Sequence, residues 1–325
     1  GMASRPLPEP FHDGPFAVRS ARGAGVGRGR LRGSDLVVPT HGARAHVEAT
    51  DLTSRALGMA MGMPESRAFS HITSARLLGI PLPSRLQGLA DEGPLAVTGP
   101  TGDGRPARPG ITGHRGIESR LVIETKGVRV VAAPDTWCDL AALGPRWMSV
   151  DDLVVAGDHI ARAHDEEMKA KVRPGSCTSP GVRALHEALG RRVRPRGKVM
   201  LRQALELIRP RVKSPMESRS RLMFVRAQFP EPVVNLPILD HAGEWLAEGD
   251  LVWEAARLIG EYQGAHHGDI KQRSADSARG HLLGGHHWTL EELFSDDIYR
   301  APRRRAALLR FAMHLDLDPS TLLIA

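Results

Sequence analysis

The sequence predicts a mixed α/β (α+β) chain with more than one domain, and three observations carry this. The chain has 325 residues, and a length of that order is divided into roughly two domains. Between residues 89 and 135, short apolar runs alternate with Gly and Pro, the punctuation of strands, while apolar residues on either side recur at helical spacing. From Pro215 a helix leads into three apolar runs joined by tight turns, a helix followed by a meander.

Residues 1–15 carry prolines at 6, 8 and 10 and no apolar period, and read as a flexible tail. From Phe16 to Arg32 two short helices are expected, split at Gly23–Gly27, with a strand at Leu36-Val37-Val38 behind them; that order suggests a winged-helix-like region. Leu52, Ala56, Leu57 and Ala60 mark a helix, and Ser70–Gly79 a second one, with Ser70 as its cap and His71 as a surface or structural residue of its first turn. Residues 95–98, 121–123 and 128–131 read as strands. Thr136–Leu143 and Ser149–His164 read as helices, with Cys138 an inert residue of the first. The N-terminal region is therefore bounded at 16–164. A polar stretch with Pro174, Gly175 and Pro180 opens a basic helical connector, 165–213. The final domain is 214–325: a helix from Pro215, strands at 233–239, 245–253 and 258–262, a helix at 270–284, a strand at 288–294 and a helix at 302–313.

Composition narrows the function classes. A hydrophobic fraction of 41% and a charged fraction of 25% suit a globular chain, and no apolar run is long enough for a membrane span. The first residues show no basic-then-apolar leader. Two cysteines make neither a disulfide framework nor a four-cysteine zinc site, so a reducing cytoplasm is the expected compartment. Aromatic residues total 4%, too few for an extended base-stacking platform. The adjacent histidines His266-His267 and His286-His287 do not chelate one ion readily, because neighbours on a strand face opposite ways.

The net charge is +7, and residues 191–213 alone hold nine basic residues against one acid. Arg191, Arg192, Arg194, Arg196 and Lys213 in that stretch, together with Arg219, form a candidate phosphate-binding stripe; a solvated linker fits the same pattern. Arg28, Arg30 and Arg32 are a second basic group beside the helix-turn-helix-like segment.

The informative constellation is Glu217, Asp250, Glu261 and Gln263. Glu217 starts the helix before the meander, Asp250 lies on its central strand and Glu261 on the next. Antiparallel neighbours at that spacing can bring two carboxylates to one sheet edge, an oxygen-ligand site for Mg²⁺ or Mn²⁺. Gln263, two residues on, shares the face of Glu261 and can hold water without acting as its base. Two strand charges facing solvent are the plain alternative.

Ser214-Pro215-Met216-Glu217-Ser218-Arg219, the Gly249-Asp250 strand and Glu261-Tyr262-Gln263-Gly264-Ala265-His266-His267 resemble the very-short-patch-repair-like domain found in many actinobacterial proteins, of the restriction-endonuclease-like, PD-(D/E)XK, superfamily. The resemblance covers about 85 residues, to Asp297. It implies an αβββαβ core, phosphodiester cleavage, Glu217, Asp250 and Glu261 as the acidic residues, and His266 or His267 as the histidine after the third strand. Gln263 stands at the position of the signature lysine. Ser70–Pro83 is similar to the segment preceding such domains in proteins of abortive-infection AbiEi-type antitoxin architecture, which implies an N-terminal winged helix, DNA as a partner and a partner protein such as a toxin.

Three functions follow as expectations. The first is a metal-dependent DNA endonuclease or nickase, with Glu217, Asp250, Glu261, Gln263 and His267 at its centre. The second is a catalytically silent DNA-binding regulator or antitoxin-like protein, with Arg28, Arg30 and Arg32 on the operator. The third is an interaction scaffold with incidental charge.

Overall fold

The computed structural model describes residues 6–47, 51–264 and 284–324. The fold is mixed α+β, and the chain divides into two compact units, Gly1–Ser149 with Glu187–Leu201, and Val150–His186 with Arg202–Ala325. This differs from the boundaries expected at 164 and 213. The helix at 150–167 belongs to the second unit, and of the basic connector only residues 187–201 belong to the first.

In the first unit, β1 (Phe16–Ala17), β2 (Leu36–Val37) and β3 (Ala43–His46) form an antiparallel sheet in the order β1-β3-β2, with α1 (Val18–Gly23) beside β1. The described part of the expected flexible tail, residues 6–15, contributes to this core. Leu7 and Phe11 are buried against Phe16, Ala21, Val26 and Leu31, and the Phe11 and Phe16 rings lie 5.2 Å apart. Proline spacing reads as disorder, but two large apolar side chains among the prolines are enough to anchor the segment.

After α2 (Leu52–Ala60), capped by the Asp51 carboxylate on the Ser54 amide, comes a five-stranded mixed sheet. Its strands are β4 (Ala68–Phe69), β5 (Leu95–Gly99), β6 (Ile111–Arg115), β7 (Val122–Thr125) and β8 (Val128–Val131), in the order β6-β5-β4-β8-β7. The β7–β8 turn is Lys126-Gly127, both at positive φ, the geometry of the tight hairpin. Helices α3 (His71–Leu77), α4 (Ser84–Glu92) and α5 (Ala133–Ala141) complete this part. Ser70 makes no side-chain cap on α3; its hydroxyl lies against the His71 ring instead.

The second unit contains α6 (Val150–Glu167), α9 (Pro215–Arg226), a four-stranded sheet and two closing helices, α10 (Ser295–Tyr299) and α11 (Ala301–His314). One unit boundary falls just before α6, and the other two fall within α7 (Pro180–Gly190) and α8 (Lys198–Leu207). Strands β9 (Val233–Leu239), β10 (Trp245–Trp253) and β11 (Leu258–Tyr262) form the expected antiparallel meander. Strand β12 (Thr289–Leu293) lies parallel to β11, giving the order β12-β11-β10-β9.

Alternation assigns the two faces of this sheet. Leu251, Trp253, Leu258 and Leu293 pack with Phe224 and Phe311 of the helices; Val252 and Ile259 turn the other way. The aromatic rings of Phe224, Trp253 and Phe311 sit 4.7–5.5 Å apart, in tilted or edge arrangements. Among the described residues no helix is long and apolar enough to cross a membrane.

Candidate functional site

The meander assembles an acidic row across the sheet. The register Leu236 against Gly249 and Val234 against Leu251 places Asn235 opposite Asp250. Leu251 against Gly260 places Asp250 opposite Glu261 one step further on, and Glu261 faces Glu292 across the parallel pair. Opposed residues on neighbouring strands are a sheet's closest side-chain neighbours. By alternation Glu261 falls on the face of Ile259, and Asp250 stands next to it by register, at the end of the ladder where β10 and β11 part. There the Asp250 carboxylate replaces a strand partner and accepts the Tyr262 amide at 3.1 Å. Gly249, just before Asp250, lies close against the face of Val252 and Ile259, where a Cβ would come within 2.6 Å of the first and 2.9 Å of the second.

Glu261 is buried and Asp250 half-buried. Gln263 falls beside the row, its amide donating to Glu292 at 3.2 Å. Glu217 is buried at the start of α9. Its Oε2 accepts from the Asn235 side chain at 2.7 Å and from the Lys213 amide at 2.9 Å. Asn235 takes φ +50 within a strand, a conformation Asn tolerates better than most residues. The structure therefore ties Glu217 to the residue facing Asp250. His267 lies outside the described residues. Among the described residues no three His, Cys, Asp or Glu side chains are grouped to hold a metal, so Glu217, Asp250 and Glu261 do not form a three-carboxylate cluster.

The basic residues separate into bound and exposed sets. Arg191 is ion-paired to Asp135 at 2.7 Å, and Arg192 reaches Asp139 at 3.0 Å and the Asp135 backbone carbonyl at 2.8 Å. These two fasten the chain to α5. Gly197 lies against the same helix, at φ +74, where a Cβ would come within 2.5 Å of the Ala141 carbonyl. Arg194, Arg196 and Lys198 are exposed. Lys213 pairs with Glu248, and Arg219 with the buried Asp152 at 2.6 Å. Arg30 makes a two-pronged bridge to Asp35, at 2.6 and 2.9 Å, whereas Arg28 and Arg32 are exposed.

A second cluster, in the first unit, has no counterpart in the sequence reading. His71, at φ +49, stacks on His114 with ring centroids 3.5 Å apart and planes 18° from parallel. Its Nδ1 lies 3.0 Å from the Ser70 hydroxyl and 3.9 Å from Asp139. Asp139 accepts from Arg120 at 2.7 Å and from Arg192. Burial pushes the His71 pKa down to about 3, against the pull of Asp139, and burial lowers that of His114 too. Burial alone would raise the Asp139 pKa, but the Arg120 and Arg192 guanidinium groups hold it below the usual carboxylate value. Both rings are neutral at physiological pH, which is what permits them to stack. Cys138, beside Asp139, is an inert thiol with its pKa pushed up to about 12 by burial.

Comparison with known proteins matches the chain to no family model, no curated protein and no solved structure.

Proposed function

We propose that the second unit is a restriction-endonuclease-like core and that the protein hydrolyses DNA phosphodiester bonds with Mg²⁺ or Mn²⁺. One observation carries the reading: Asp250 and Glu261 stand opposite each other at the open end of β10 and β11, with Gln263 two residues on. The order of α9, three antiparallel strands and a parallel fourth agrees with an αβββαβ topology in the elements described; the second helix, expected at 270–284, lies almost wholly outside the described residues. The donor chemistry suits a hard cation, since Mg²⁺ is commonly held by one or two carboxylates together with substrate phosphate oxygens and water. Asp250 and Glu261 would hold the ion, which supplies positive charge to the scissile phosphate and acidifies water.

The chain's own groups do the rest. Glu217 holds Asn235, and Asn235 holds β9 at the level of Asp250. Gln263 can orient water as a neutral dipole, and it adds no cation where negative charge grows. Slow turnover follows. The exposed Arg194, Arg196 and Lys198, with Arg28 and Arg32 from the segment between α1 and β2, hold the DNA backbone without reading sequence.

A plasmid-nicking time course tests this. Wild type nicks slowly with Mg²⁺ or Mn²⁺ and stops with chelator. Asp250→Asn abolishes turnover and leaves the fold intact, and Gln263→Lys speeds cleavage on the order of tenfold, about 1.4 kcal/mol of barrier. Equal nicking by all three proteins would remove the nuclease reading. Gln263 at the lysine position favours a second reading, a DNA-binding regulator that does not cut. It predicts inert wild type with salt-dependent DNA affinity, which falls for all sequences alike when Arg194 and Arg196 are neutralised.

A further inference from the structure

A cavity of about 310 Å³ in the second unit lies away from the acidic row, and no residue of that row lines it. One wall is a stripe of α9 at residues 219, 222, 223 and 226, the spacing of neighbours on one helix face, continued by Ala227 just past its end. The closing helices supply the opposite wall. The floor is apolar, with Leu222, Ile298 and Leu308 all buried.

The polar lining is specific in its chemistry. Arg226 and Arg304 bring two guanidinium groups, and each has five N–H donors. Arg226 spends donors on Asp151 at 2.7 and 3.2 Å, and Arg304 spends one on the Ile298 carbonyl at 3.2 Å. The Arg226–Asp151 pair is about half exposed on the arginine side and a third on the aspartate side, and such surface pairs hold weakly enough to be shared with a ligand. Arg219 keeps its bond to Asp152 and contributes field more than contact. Asp151 is a carboxylate acceptor within a lining that is otherwise positive, and the exposed Tyr299 hydroxyl reaches the Met216 sulfur at 3.6 Å.

A ligand that satisfies this lining has three parts. An anionic group meets the two guanidinium groups, a flat apolar body covers the floor, and an N–H donor on that body meets Asp151. A simple anion leaves the floor wet, and an acyl chain leaves Asp151 facing hydrocarbon. We propose that this cavity binds a nucleoside monophosphate whose base carries an exocyclic amine, its phosphate on Arg226 and Arg304 and its amine on Asp151. The cavity's own lining carries this proposal, which does not depend on phosphodiester cleavage at Asp250 and Glu261.

Titration calorimetry on the full chain tests it, with dAMP, dTMP, deoxyadenosine and inorganic phosphate as separate probes. dAMP binds at least tenfold more tightly than deoxyadenosine or phosphate, and several-fold more tightly than dTMP. Arg226→Gln and Arg304→Gln each weaken dAMP at least fivefold and leave deoxyadenosine unchanged. Asp151→Asn narrows the preference for dAMP over dTMP. All three are surface or rim changes that leave the floor intact, and circular dichroism of each verifies folding. No heat with dAMP up to millimolar concentration, or equal dAMP affinity in wild type and both arginine variants, overturns the proposal. Metal-dependent nicking is scored separately, and its failure leaves this result standing.

Discussion

Asp158→Ala is expected to lower the stability of the second unit by about 3–5 kcal/mol, the usual cost of removing one partner of a buried ion pair. Arg221 is fully buried on α9, and its Nη2 reaches Asp158 on α6 at 3.2 Å. Asp158 is just as enclosed and also accepts from the Arg209 amide and the Ser218 hydroxyl, both at 2.7 Å. Burial raises the Asp158 pKa, and Arg221 opposes that rise. Removing the carboxylate leaves a guanidinium with Glu231 at 2.9 Å and the Leu207 carbonyl at 2.7 Å, and strands a hydroxyl and an amide. Urea unfolding followed by tryptophan fluorescence measures the loss. Asp158→Asn, which keeps an acceptor, loses less. A loss under about 1 kcal/mol in the alanine variant would mean that Glu231 suffices for Arg221.

The second large effect is on pH dependence in the first unit. An unfolded histidine takes a proton near its ordinary value of 6.5, whereas folded His71 resists until about 3. The unfolded chain therefore binds more protons throughout that window, and stability falls as pH falls from 6.5 towards 3. The shift corresponds to a total on the order of 5 kcal/mol, of which about 2 kcal/mol is lost by pH 5. His71→Phe keeps an aromatic ring against His114 and removes the titration. Between pH 7 and pH 5, wild type is expected to lose about 2 kcal/mol more than this variant in denaturant unfolding. Parallel losses in the two proteins would show that His71 is solvated and protonates freely.

The second unit was largely legible in the sequence. The strands at 233–239, 245–253 and 258–262 match the expected bounds to the residue, because period-two alternation and the Asp240–Gly243 turn are local signals. The pairing of Asp250 with Glu261 follows from the same arithmetic. The buried charges were not legible. Little that is local to Asp135, Asp139 and Asp158 signals their burial, and their partners Arg191, Arg192 and Arg221 lie more than fifty positions away. No periodicity links such residues. A faint signal existed in α5, where Asp135 and Asp139 flank Trp137 and Cys138 one turn apart. A helix with so little polar surface is enclosed on all sides, and its carboxylates then need cations. The basic run at 191–196 supplies two of them, which is why half of that run is structural. His71 gave no warning, since a stacked histidine pair depends on β6, distant in sequence.

The order in which the chain leaves the ribosome matters for a unit built this way. Its closing segment, Glu187–Leu201, is synthesised only after the stretch from Val150 to His186. At roughly 5–20 residues per second, the nascent first unit waits several seconds for Arg191 and Arg192. Through that interval Asp135 has neither guanidinium and Asp139 has Arg120 alone. The N-terminal half is thus a late finisher despite emerging first, and fragments cut near residue 149 or 164 lack the clasp that closes it.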